Sequence, residues 1–205
     1  MRRNRALFLT LVSLCVLAFV GCGKREIKNL GSKGKNIICF GDSITFGYVA
    51  GAGEDFPAQL GKLTSIPVIN AGISGDTSTE ALVRLEDDVL KKDPCLVLIE
   101  FGGNDFIKNV PMQDTIKNTE EMVDKIQARG AMVAIVDISS GLFMRAYRGE
   151  LAKIAAKKNA IFIPCVLDKI ITNPSMKSDF LHPNAAGYKE ISCRINNKIS
   201  DYLKK

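Results

Sequence analysis

Five short apolar runs recur along the chain, at residues 37–40, 68–69, 96–101, 132–136 and 161–163. Each suits a strand better than a helix, and the stretches between them are long enough to hold one. Parallel strands cannot be joined by a tight turn and need a crossover, usually helical. Strands that are apolar almost without interruption must be covered on both faces. The pattern therefore predicts an α/β fold: a parallel five-stranded sheet with helices packed on each side. The intervening segments carry matching signals. Leu82, Leu85 and Val89 share one helical face behind Thr77-Ser78-Thr79-Glu80, a candidate capping box. A second helix spans 112–129 and ends at Gly130, and Tyr188, Ile191, Ile195, Ile199 and Tyr202 predict a closing helix. No internal repeat or second domain is visible.

The front of the chain lies outside this pattern. Arg2, Arg3 and Arg5 precede an uncharged apolar stretch from Ala6 to Val20, and no acid occurs before Glu26. That is the composition of a signal segment. Ala18-Phe19-Val20-Gly21-Cys22 is similar to a bacterial lipoprotein signal, in which cleavage exposes Cys22 for diacylation. An uncleaved anchor helix over 6–23 is the alternative. Either form tethers the protein to a membrane of the cell envelope. The expected organisation is a leader over 1–21, a basic lipidated tether over 22–35 and a catalytic domain over 36–205. Lys24, Arg25, Lys28, Lys33 and Lys35 in the tether suit anionic lipid. Without its first 21 residues and their three arginines, the chain keeps 184 residues and a formal balance of +3 instead of +6. That small, dispersed excess gives no reason to expect a nucleic-acid partner. Of six cysteines, Cys15 falls in the leader. Cys39, Cys95, Cys165 and Cys193 have no CxxC spacing that would indicate zinc, and they are expected as small buried side chains.

In open α/β sheets the reactive site lies beyond the carboxyl ends of the strands. Those ends read Gly41-Asp42-Ser43-Ile44, then Asn70-Ala71-Gly72-Ile73-Ser74-Gly75-Asp76, then Gly102-Gly103-Asn104-Asp105. The single histidine, His182, sits three residues after Asp179 in a loop that Pro183 keeps extended. A serine nucleophile needs a base, a group to orient that base, and donors for the oxyanion. The fold brings Ser43, Gly75, Asn104, Asp179 and His182 to one rim. Asp42, Asp76 and Asp105 read as structural carboxylates that accept N–H groups in their turns.

These four blocks, in this order, resemble the SGNH or GDSL-type esterase and lipase family, with Ser43-Ile44 in place of the usual Ser-Leu. Residues 70–78 and 100–105 are most similar to its bacterial thioesterase I, arylesterase and lysophospholipase L1 branch. The resemblance implies a flavodoxin-like three-layer α/β/α sandwich, with Ser43 as nucleophile, His182 as general base and Asp179 as its orienting acid. It further implies an oxyanion hole made by the N–H groups of Ser43 and Gly75 and the Asn104 amide, with no cofactor and no metal. The expected activity is hydrolysis of carboxylic or thio esters through an acyl-enzyme, on a small-molecule or lipid ester such as a lysophospholipid. A carbohydrate or cell-wall O-acetyl esterase is the alternative. A non-catalytic surface lipoprotein would have no need of the complete set. Phe46, Tyr48, Phe56 and Ile107 are candidates for an acyl groove. The segment 139–147 departs from the branch pattern, and its Leu142, Phe143 and Met144 point to an apolar partner.

Overall fold

A computed structural model describes residues 26–142 and 144–204. Cys22, the leader and Phe143 lie outside the described residues. Five parallel strands form one sheet in the order β2-β1-β3-β4-β5: β1 (Asn36–Gly41), β2 (Val68–Gly72), β3 (Pro94–Glu100), β4 (Met132–Val136) and β5 (Ile161–Ile163). The helices are α1 (Ser43–Phe46), α2 (Phe56–Gly61), α3 (Ser78–Asp88), α4 (Gly103–Ile107), α5 (Met112–Ala128), α6 (Arg145–Lys157) and α7 (Ala185–Leu203).

The period-two alternation of β1 explains the layering. Ile37 and Cys39 point to one face, where they pack with α2 and α7 through Phe56, Leu60, Tyr188, Ile191 and Ile195. Ile38 and Phe40 point to the other, against Leu85 of α3, Met122 and Ile126 of α5, and Ile154 of α6. Each such side chain removed from water contributes about 1.5–3 kcal/mol before the entropy of ordering it. Helices thus cover both faces, and the strand order is the flavodoxin-like one. The chain leaves β1 for β2 on one side and later returns to β3 on the other. That divergence opens a crevice at the carboxyl end of β1, where Ser43 begins α1.

Local signals decide the helix ends. Thr77 and Glu80 form the expected capping box at α3, and Gly130 takes a φ of +82° just beyond α5. Two boundaries differ from expectation. Asn70, Ala71 and Gly72 continue β2 instead of forming a turn, because they pair in register with Cys39, Phe40 and Gly41. The fold also begins ahead of residue 36. Ile27 is buried in the core, the Lys28 N–H donates to the Asn159 carbonyl at 2.9 Å, and the Asn29 amide donates to the carbonyls of Gln127 and Ala131 at 2.8 and 2.9 Å. These partners precede β5 and β4, so the N-terminal segment docks at the amino ends of the strands. Among the described cysteines, Cys39 and Cys95 are buried as expected, whereas Cys165 and Cys193 are half-buried.

Candidate active site

Asp42 follows the last residue of β1 and caps α1, its Oδ1 accepting the Ile44 N–H at 2.9 Å. This tight strand-to-helix turn lifts Ser43 to the rim. It needs glycine on both sides: a Cβ on Gly41 would lie 2.1 Å from Thr45 Oγ1, and one on Gly72 would lie 2.2 Å from the Phe46 nitrogen. Arg84 of α3 ties the same ends together. Its guanidinium donates to the carbonyls of Gly41 and Ala71 at 3.1 and 2.8 Å, pairs with Asp76 at 2.6 Å, and lies 4.5 Å over the Phe40 ring.

His182 reaches this point from the loop before α7. Its Nε2 is 3.1 Å from Ser43 Oγ, and its Nδ1 is 2.8 Å from Asp179 Oδ2. Asp179 also accepts the backbone N–H groups of Leu181 and His182, at 2.7 and 2.8 Å. Burial acts to raise the Asp179 pKa, but those two N–H groups and the imidazole outweigh it and hold the carboxyl below its ordinary range. The Tyr48 ring packs on the imidazole at 4.6 Å between centroids, and its carbonyl accepts the buried Tyr188 hydroxyl at 3.0 Å. Val49 beside it takes a φ of 60°, a left-handed conformation that a β-branched residue resists.

Gly75 and Asn104 face the same cleft as Ser43 and His182. Gly75 takes a φ of +88°, and its carbonyl accepts Lys108 Nζ at 2.8 Å. Asn104 Nδ2 donates one hydrogen to Asp42 Oδ2 at 3.0 Å, which leaves its second hydrogen for a ligand. All five residues singled out in the sequence therefore meet. The arrangement can activate a hydroxyl by proton transfer to an oriented imidazole and place an amide donor beside the reacting carbon.

Of the three turn carboxylates, Asp42 accepts a nearby N–H of its own turn as expected, whereas the partners of the other two lie farther along the chain. Asp76 pairs with Arg84, and buried Asp105 binds the Ser78 N–H and hydroxyl and the Thr115 hydroxyl. Of the proposed groove residues, Tyr48 and Ile107 line the cleft, Phe46 is exposed, and Phe56 is 1% exposed in the core, because α2 turns it inward against the sheet. Met144 is likewise buried, while Leu142 is exposed. The cleft, about 260 Å³, takes most of its apolar wall from residues that the sequence did not single out: Ile44, Ile138, Leu167, Ile171 and Leu181. Their periodicity is that of ordinary core or loop positions. Glu100 belongs to no catalytic motif, yet a lone acid ending a wholly apolar strand is a legible anomaly.

The sequence profile of the GDSL-like lipase/acylhydrolase family matches residues 39–190. An arylesterase of Vibrio mimicus is 30% identical over 184 residues, covering 82% of this chain and 90% of the relative. The thioesterase 1/protease 1/lysophospholipase L1 of Escherichia coli K12 is 28% identical over 156 residues, 72% of this chain and 75% of the relative. Among solved structures, a psychrotrophic esterase from Pseudoalteromonas sp. superposes with a TM-score of 0.74 at 27% identity, covering 83% of this chain and all of that one. A profile that spans all three strand-end blocks and the histidine loop, together with relatives matched over most of their own length, places this chain in the GDSL-like lipase/acylhydrolase family.

Proposed function

We propose that the protein is a serine ester hydrolase that acts through an acyl-enzyme on esters of single apolar acyl chains. The observation that carries this reading is the hydrogen-bonded chain from Ser43 through His182 to Asp179 at the mouth of an apolar cleft. His182 Nε2 takes the Ser43 proton as Oγ attacks the ester carbonyl. Asp179 accepts a hydrogen bond from Nδ1–H, which selects the tautomer with a free Nε2 lone pair and compensates the imidazolium that forms. The N–H groups of Ser43 and Gly75 and the Asn104 amide hold the developing oxyanion. Collapse of the intermediate expels the alcohol or thiol, protonated by His182. Water then attacks the acyl-enzyme with the same base and frees Ser43.

The cleft supports acyl over acetyl substrates. Ile138, Leu167, Ile171 and Leu181 offer an apolar wall that an acetyl group leaves mostly uncovered, and Ile73, Phe106 and Phe180, each next in sequence to a lining residue, are exposed apolar side chains. The relatives named arylesterase and lysophospholipase fit that preference. The test is a p-nitrophenyl series from acetyl through butyryl and octanoyl to palmitoyl, with lysophosphatidylcholine alongside, on wild type, Ser43→Ala and His182→Ala. Higher kcat/KM for butyryl or octanoyl than for acetyl is expected, with a loss of at least about 10³-fold in both variants. Acetyl-only turnover refutes the cleft assignment, and unchanged turnover in Ser43→Ala refutes the nucleophile. The Pseudoalteromonas esterase is inhibited by monoethylphosphonate, and the same reagent class should label Ser43 here.

We also infer that Cys22 is diacylated and anchors the protein in the cell envelope. At most about 17 Å of extended chain separates Cys22 from Ile27, and Ile27 is packed at the amino ends of the strands. Such an anchor holds the domain by the end opposite the cleft, so that substrate enters from the side facing away from the anchoring bilayer. Palmitate labelling that disappears in Cys22→Ser tests the anchor.

A further inference from the structure

Beneath the nucleophile turn lies a second carboxylate that takes no part in the triad. Glu100 ends β3 directly beside Gly41, points toward α1, and is 1% exposed. Its Oε2 accepts the Thr45 hydroxyl at 2.8 Å and, at 3.4 Å, the Asp42 N–H. Its Oε1 accepts nothing, and it is one of two buried side-chain polar atoms among the described residues without a partner. Glu100 thus lies against the Asp42 backbone, and Asp42 is itself 2% exposed, so the two carboxyls are buried as neighbours. Two ionised carboxylates so placed repel each other in a region where neither is solvated. One proton between them removes the repulsion and turns the orphaned Oε1 into a donor. Asp42 has its own acceptor duties, Oδ1 to the Ile44 N–H and Oδ2 to the Asn104 amide.

We propose that Glu100 is a positioning residue that works as a neutral acid: its carboxyl O–H donates a hydrogen bond to the Asp42 carboxylate and so keeps the Asn104 amide aimed at the oxyanion. The proton belongs on Oε1, because Oε2 already receives two donors. Burial and the Asp42 charge both favour this state by pushing Glu100 well above the ordinary carboxyl range, while burial brings Asp42 up to about 6. The other ionisable neighbours are His182 and Asp105 around Asp42, and Tyr188 from α7, whose own titration burial pushes upward. The Thr45–Glu100–Asp42–Asn104 chain thus links the floor of α1 to the oxyanion site, and it rests on the reading of Ser43 and Asn104 given above.

Two variants separate the possibilities. Glu100→Gln keeps a donor toward Asp42 and an acceptor for Thr45, and should retain wild-type kcat. Glu100→Met fills the same space without either, and should lose about 10²-fold in kcat at an unchanged KM. Infrared spectra near neutral pH should show the carbonyl band of a buried protonated carboxyl in wild type and not in Glu100→Gln, a readout that does not depend on turnover or on the fate of the Met variant. Absence of that band, a Gln variant as slow as the Met variant, or a folded Met variant with wild-type kcat would each overturn the proposal. Turnover persisting in Ser43→Ala while the band is present would instead remove the catalytic reading and leave the acid pair standing.

Discussion

Gly72 sits in β2, remote from any reacting atom, yet it should control the rate. A Cβ added there would lie 2.2 Å from the Phe46 nitrogen, 2.6 Å from the Thr45 carbonyl carbon and 2.7 Å from the Phe46 Cα. All three are backbone atoms of α1, so no side-chain rotation relieves the clash. Ordinary contact begins at 3.4 Å, which means that α1 or β2 must retreat by roughly 1.2 Å. β2 is an edge strand, but Gly72 is held in register with Gly41 of β1, so retreat there breaks sheet hydrogen bonds. If α1 moves instead, Ser43 Oγ leaves its position 3.1 Å from His182 Nε2. A displacement of about 1 Å at a reacting group costs on the order of 10² in rate. Overpacking adds about 1–3 kcal/mol of instability, which for a chain of this size is roughly 2–12 °C in Tm. Gly72→Ala should therefore lower kcat for p-nitrophenyl butyrate about 100-fold and lower Tm together. The control is Gly61→Ala, whose Cβ would meet only Val68 side-chain carbons at 3.8 Å. It should keep full activity and gain up to about 1 kcal/mol from helix propensity. Wild-type kcat and Tm in Gly72→Ala would show that β2 yields freely and that its contact does not set the position of α1.

Three further outcomes follow from the same geometry. Asn104→Ala removes an oxyanion donor and should cost about 10²–10³ in kcat with KM nearly unchanged, so a KM effect alone counts against the role. Asp179→Asn should lose roughly 10- to 10³-fold, less than the ~10⁴ of a fully buried triad, because the Asp179 side chain is 44% exposed and water can share its task; no loss at all would remove Asp179 from the chain. Stability should also report the buried acid. Folded Glu100 keeps its proton well above the 4.5 at which an unfolded glutamate releases it, so its contribution is present in acid and is lost as pH rises toward the folded value. Above pH 6, with Asp42 ionised, wild type should therefore lose about 1.4 kcal/mol per pH unit relative to Glu100→Gln, until folded Glu100 ionises. Urea denaturation of both proteins at pH 6.5 and 7.5 measures this, and a constant difference refutes it.

The fold and the meeting of the candidate site residues were legible in the order of residues because both depend on local or repeating features. Apolar strands at regular intervals specify a covered parallel sheet, and strand-end blocks carrying Ser43, Gly75 and Asn104 must share its carboxyl rim once the strands are parallel. The lone His182 with Asp179 three residues before it completed the set for the same reason. What escaped depends on contacts between residues far apart in the chain. Ile138, Leu167, Ile171 and Leu181 become a cleft wall only when the segments after β4 and β5 and the histidine loop converge, and nothing in their spacing separates them from core. Phe56 is the reverse case: an aromatic close to Ser43 in sequence is turned into the core by α2. The partnership of Glu100 with Asp42, 58 residues apart, exists only because β1 and β3 lie side by side. The sequence by itself thus determined the layers, the rim and which polar side chains gather at it. Only the tertiary structure decided which apolar side chains face substrate, where the N-terminal segment docks, and which buried carboxyl keeps its proton, since burial and mutual distance are properties of the packed chain.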